Sequence, residues 1–137
     1  MPGQESESST SPEATLQMIL LVEDDQDIGD FLAEVLKQER PAAVLHLTDA
    51  AHALEAVKSI RPSLFILDYR LPGIDGLTLS DQLHAIEGYE EVPTLMISAE
   101  NPPKKAMYQR NIVFLPKPFD LSELLKTIDR LLPRPEL

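Results

Sequence analysis

The 137-residue chain has no cysteine, and that absence removes disulfides, cysteine-based zinc sites and thiol catalysis together. Bases are scarce as well: 12 Lys and Arg stand against 23 Asp and Glu, a formal net charge of -11. A surplus of acid on this scale argues against nucleic acid and against membrane surfaces as partners, since both present negative charge. Long apolar runs are missing too. The early one spans only Met18 to Val22, and residues 1–17 lack a basic start, so neither a signal peptide nor a membrane-crossing helix is indicated and a soluble, cytoplasmic protein is expected. The histidines His46, His52 and His84 show no HExxH spacing, and each reads as a strand or helix surface residue rather than a ligand. There is no internal repeat. No glycine-rich phosphate loop follows the first apolar run, which disfavours a nucleotide-binding domain.

What is present is enough for one core: 43% of residues are apolar, and this length suits a single domain. Residues 1–17 are rich in Ser, Glu, Pro and Gly and cannot bury enough surface to offset the entropy of ordering, so a disordered acidic tail is expected before a domain over 18–133 and a short end at 134–137. Without Glu5, Glu7 and Glu13 of the tail, most of the acid surplus still belongs to the domain.

Within it, short apolar runs at 18–22, 43–47, 64–67, 94–97 and 112–115 alternate with stretches of helical period. Runs so short and so little interrupted suit strands buried on both faces of a parallel sheet. Between them Ile28, Phe31, Leu32, Val35 and Leu36 trace one face of a helix bounded by Pro41; Ala50, Ala53, Leu54 and Val57 repeat the pattern behind Thr48 or Asp49 as cap. Leu79, Leu83 and Ile86 mark a third helix ending near Gly88. The last starts at Asp120 with Glu123 in capping-box position and is stopped by Pro133. Residues 101–111 are weaker: Asn101 can cap and Pro102 suits the first helical position, but only Ala106 and Met107 look buriable. Five strands alternating with five helices predict an α/β domain with right-handed crossovers.

In such a sheet, ligands bind beyond the carboxyl ends of the strands. The polar residues there are Glu23, Asp24 and Asp25 after the first run, Asp68 after the third, Ser98 after the fourth and Lys117 after the fifth. Converging carboxylates repel, so one takes a proton or a cation sits among them. Oxygen donors without Cys or His select a hard divalent ion such as Mg²⁺, and a carboxylate beside Mg²⁺ and an ammonium is suited to attack a phosphoryl group.

The segments ILLVEDD (19–25), LDYRLPGIDG (67–76), MISA (96–99) and PKPF (116–119) together resemble the receiver domain of two-component response regulators, a likeness that covers residues 18 to about 132. The resemblance implies a flavodoxin-like, doubly wound sheet in the order 2-1-3-4-5. It also implies that Asp68 accepts a phosphoryl group from a histidine kinase or a histidine phosphotransfer protein in a Mg²⁺-dependent reaction. Asp24 would hold Mg²⁺ directly, Glu23 directly or through water, and the backbone carbonyl of Arg70 would be a further ligand. Ser98 would bond a phosphoryl oxygen, and Lys117 would pair first with Asp68 and then with the phosphate, before a cis Lys117–Pro118 bond. Phe114 stands at the position of an aromatic switch, with an inward preference; core packing is the competing reading. Arg70 and Glu100 would flank the path of water to the phosphate and so tune its lifetime. The protein would then be a kinase substrate rather than an enzyme, acting on an unidentified downstream protein or as a relay intermediate.

Rival readings are local ones. Asp68 could merely cap a loop, and Glu23, Asp24 and Asp25 could merely enrich the first turn of a helix in negative charge, which for Asp25 is an equal alternative. Lys104 and Lys105 read as a solvated face. An interaction module that no longer turns over is the alternative of another class; an aspartate-based phosphatase ranks behind it, because position 70 is Arg where that chemistry wants a second aspartate. Only 18 residues separate Ser98 from Lys117, short for the family, and Arg110 and Asn111 replace its usual Gly-Ala. A fourth helix that is short or mobile is therefore expected. With residue 137 so close behind the last helix, a single-domain regulator is the expectation.

Overall fold

The computed structural model describes residues 16–133. The expected disordered tail lies outside them except at its end, where Leu16 and Gln17 are placed; Gln17 already belongs to the first strand, so the domain starts one residue earlier than the apolar run. Residues 134–137 also lie outside the described part.

The elements alternate without exception: β1 (Gln17–Val22), α1 (Gln26–Glu39), β2 (Ala42–Leu47), α2 (Ala50–Ala56), β3 (Leu64–Asp68), α3 (Gly76–His84), β4 (Thr94–Ser98), α4 (Lys104–Gln109), β5 (Val113–Pro116) and α5 (Leu121–Leu131). The five strands form one sheet in the order β2-β1-β3-β4-β5, every pair parallel, which is the flavodoxin-like order. Side chains alternate across it. Leu20, Val22, Phe65, Leu67 and Met96 face α2, α3 and α4, whereas Ile19, Leu21, Leu64, Ile66, Leu95 and Ile97 face α1 and α5. Burial on both faces explains why the central strands read as unbroken apolar runs. The two outer strands depart from that expectation: β2 is half-buried along its whole length and β5 is mixed, because an edge strand has a neighbour on one side only.

Helix boundaries follow local chemistry. Asp25, Asp49 and Asp75 cap α1, α2 and α3, each accepting a backbone N–H three residues on. Glu123 Oε1 accepts the N–H of Asp120 at 3.1 Å, the return half of the expected capping box at α5. At α4 the expectation is corrected. The helix starts at Lys104 behind Pro103, and no side chain caps it, so Asn101 has no such role. It is short, as expected, with Met107 buried and Ala106 partly so. Its end is closed by Asn111 at φ 57, a left-handed conformation for which Asn is the favoured residue after Gly.

Two further readings change. The buried stripe of α1 is Gly29, Leu32, Ala33 and Leu36, while Ile28 and Phe31 are exposed. The helix is rotated from the apolar face that spacing alone selects, so that Gly29 lies against the ring of His46. His46 and His84 depart from the surface reading, both being half-buried. The His46 side chain is 4% exposed. The His84 ring packs edge-on against Phe65 and bonds Val92 O through Nε2 at 2.9 Å. His52 is exposed, against Asp49.

Candidate functional site

Parallel pairing aligns the strand ends and thereby assembles the site. Asp68 is the last residue of β3 and Ser98 the last of β4; Glu23 follows β1 and Lys117 follows β5. Strands lie roughly 4.8 Å apart, so residues remote in sequence arrive within side-chain reach. Lys117 Nζ donates to Glu23 Oε1 at 2.8 Å and to Asp68 Oδ2 at 2.9 Å. Glu23 Oε2 accepts the N–H of Asp25 at 3.1 Å, and Asp68 Oδ1 accepts the N–H of Arg70 at 3.0 Å. Glu23 and Asp68 are buried, Asp24 is exposed, and one carboxylate oxygen of each lies within 4.8 Å of the others.

The electrostatics are unbalanced. Three carboxylates meet one ammonium, which Glu23 and Asp68 share, so the cluster carries a formal charge of about -2 with all groups ionised. Burial pushes the Glu23 carboxyl above its usual range, and this outweighs the hydrogen bonds from Lys117 and Asp25 that act the other way. For Lys117 burial is again the largest single influence and pulls downward; the hydrogen bonds to Glu23 and Asp68 together overcome it, and the ammonium is held above its ordinary value. A cluster short of positive charge, lined only by carboxylate oxygen, suits a hard divalent cation.

The remaining expected residues have partners of their own. Ser98 is buried, and its Oγ accepts the N–H of Glu100 at 3.0 Å. Arg70 Nε donates to Glu100 Oε2 at 2.8 Å, so an ion pair spans the β3–α3 and β4–α4 loops. The Lys117–Pro118 bond is cis, as expected. Phe114 is half-buried and packs against the core cluster on the α2, α3 and α4 side of the sheet. Asp25 stands apart from the three converging carboxylates; its Oδ1 caps α1 through the N–H of Ile28 at 3.0 Å.

The response regulator receiver domain family matches residues 19–129. The chain belongs to that family. Among solved receiver structures, the chemotaxis protein CheY4 of Vibrio cholerae superposes with a TM-score of 0.79 at 26% identity, covering 85% of this chain and 99% of that one. The non-phosphorylated HemR receiver domain of Leptospira biflexa gives 0.76 at 30% identity over 88% and 99%. Of the curated relatives, the DNA-binding response regulator MtrA of Mycobacterium tuberculosis is 37% identical over 84 residues, 61% of this chain and 35% of MtrA. The uncharacterized transcriptional regulatory protein YbdJ of Bacillus subtilis is 35% identical over 109 residues, 78% of this chain and 47% of YbdJ. The matched part is thus about a third to a half of these curated relatives.

Two contributors to this receiver site were not singled out from sequence. Gly76 opens α3 against the acceptor strand: a Cβ there would stand 2.5 Å from the backbone oxygen of Asp68 and 2.6 Å from Met96 Sδ. Its place in the LPGIDG run was visible, but the close approach is a tertiary fact. His46 is the second; its sequence signal was a glycine inside the amphipathic stretch of α1, a residue otherwise unfavourable there. Among the described residues no helix is long and apolar enough to cross a membrane.

Proposed function

We propose that this receiver domain accepts a phosphoryl group on Asp68 from a phosphohistidine of a histidine kinase or phosphotransfer protein. The observation that carries the reading is the junction of Asp68, buried at the end of β3, with the Lys117 ammonium and two further carboxylates within 4.8 Å. Glu23, Asp24 and Asp68, with the backbone carbonyl of Arg70, would hold Mg²⁺. When bound, the ion supplies positive charge that offsets the charge on the transferring phosphoryl oxygens.

In the transfer, a carboxylate oxygen of Asp68 attacks phosphorus, the P–N bond to the donor imidazole breaks, and the bonding electrons leave with the imidazole nitrogen, which takes up a proton. Lys117 holds the nucleophile in place beforehand and meets the new phosphoryl group afterwards. The Ser98 hydroxyl, now engaged with the N–H of Glu100, turns to the phosphoryl oxygens, and Phe114 moves further inward as it does. Hydrolysis of the resulting acyl phosphate returns Asp68 and inorganic phosphate. The Arg70–Glu100 pair flanks the path of water to that bond and so tunes its lifetime.

The donor protein meets the domain beside Lys117. There Ile28, Phe31, Phe119 and Leu121 line an apolar groove of about 390 Å³ that Lys117 itself borders, so a partner seated on it brings its phosphohistidine to the acceptor. The regulator then acts by contact with a downstream protein in the cytoplasm or passes the phosphoryl group on. Incubation with acetyl phosphate and Mg²⁺ is expected to add one phosphoryl group to the chain and none to Asp68→Asn. Labelling of that variant at the same stoichiometry would refute the assignment.

A further inference from the structure

The turn between β1 and α1 that carries Glu23 and Asp24 is held from outside by β2. The N–H of Glu23 donates to Leu47 O at 3.0 Å, and the carbonyl oxygen of Glu23 accepts His46 Nε2 at 2.8 Å. Both main-chain groups of Glu23 are therefore tied to consecutive residues of the neighbouring strand. That second bond pins the peptide plane joining Glu23 to Asp24, from which both carboxylate side chains depart. The other ring nitrogen, Nδ1, lies 3.1 Å from Asp30 Oδ1 on α1, an oxygen that also accepts Gln26 Nε2 at 2.9 Å. The cost to the helix is visible. A Cβ on Gly29 would stand 2.0 Å from the ring, so any side chain there would drive His46 out of its place. An apolar residue at 46 would fill the same space between strand and helix without reaching the carbonyl, so packing alone does not require this histidine.

We propose that His46 is a positioning residue for the cation site: its Nε2–H to the Glu23 carbonyl sets the direction of Glu23 and Asp24, and Gly29 is the vacancy that admits the ring. This rests on the reading of Glu23, Asp24 and Asp68 as that site, and the two can fail separately.

The test is direct titration of the apo chain with Mg²⁺ alone, followed by calorimetry and by the amide signals of Asp24 and Asp25, with the thermal midpoint recorded for each variant. Absence of Mg²⁺ binding to the wild type would overturn the cation-site reading itself. Given wild-type binding, His46→Phe, which keeps a ring and loses the donor, is expected to weaken Mg²⁺ about 10-fold, and His46→Gln, which keeps a donor, to stay within about threefold of wild type. Gly29→Ala should weaken Mg²⁺ like His46→Phe in the wild type. In a His46→Ala background it should leave affinity unchanged and raise the thermal midpoint, since the ring it displaces is gone and alanine is the better helix former. Equal Mg²⁺ affinity of the wild type and His46→Phe overturns the proposal. If His46→Phe does not fold, the Gly29 pair decides: the same loss of affinity with and without the imidazole overturns it, and a loss confined to the protein that has His46 supports it.

Discussion

Replacing Lys117 by Met keeps the aliphatic stem and removes the one positive charge in the acidic cluster. Its ammonium lies 2.8 Å from Glu23 and 2.9 Å from Asp68, whose side chains are 1% and 7% exposed, while Lys117 itself is 23% exposed. Removing one partner of a buried pair costs about 3–5 kcal/mol, because the charge left behind has lost both water and counter-charge. Partial exposure of Lys117 admits some solvent, which places the loss near the lower end, about 3 kcal/mol. With a urea dependence of about 2 kcal/mol per molar, the unfolding midpoint in EDTA at neutral pH should fall by about 1.5 M. The sign of the pH dependence follows from the two shifts. The Lys117 value is raised in the folded state, so its contribution is complete below its ordinary 10.5 and is lost only as pH rises through the folded value. Glu23 is also raised, from 4.5, so the folded state binds its proton more tightly and stability declines as pH rises through that range. Lowering the pH toward the carboxylate range therefore neutralises Glu23 and narrows the gap between Lys117→Met and wild type. Excess Mg²⁺ narrows it too, since a cation that binds only the folded state supplies the missing charge. A variant midpoint within about 0.3 M of wild type in EDTA would refute this account of the cluster.

Three other outcomes follow from the same structure. Gly76→Ala should destabilise the domain by about 1–3 kcal/mol, since the new methyl meets backbone at the acceptor; unchanged thermal stability together with unchanged amide signals at Asp68 and Tyr69 would contradict it. Hydrogen bonds from Arg110 hold the Asp81 carboxyl below its ordinary 3.8, so their contribution is present above that value and lost as pH falls through the folded one. Asp81→Asn should cost less than about 1 kcal/mol at neutral pH, the pair being largely solvent-exposed, and the difference should vanish in acid; urea midpoints across pH that keep a constant gap would argue against it. Helix α4 has six residues, no side-chain cap and Met107 as its buried anchor, so its amides should exchange at least about 100-fold faster than those of β3 and β4. Uniformly slow exchange across 101–111 would show that the short helix is held by more than these contacts.

The sequence by itself determined the alternation of strands and helices, because the central strands are buried on both faces and spell continuous apolar runs. It also determined which residue types end each strand, and a parallel sheet places all carboxyl ends together, so Glu23, Asp24, Asp68, Ser98 and Lys117 were legible as one group. Asp49 and Asp120 were legible as caps, because a cap acts within three residues of itself, while the capping roles of Asp25 and Asp75 were read only from the structure. Only the tertiary structure decided which face of α1 turns inward, since Ile28 and Phe31 satisfy a helical period as well as Gly29 and Ala33 do. The ring of His46 settled that choice by claiming the space at Gly29. The roles of Gly76 and Asn111 were hidden likewise, one in an approach of helix to strand and the other in a backbone angle. Periodicity reports the average environment of a face. Contacts between residues far apart in the chain decide where that face points, and here they also hold the loop on which the acidic cluster is built.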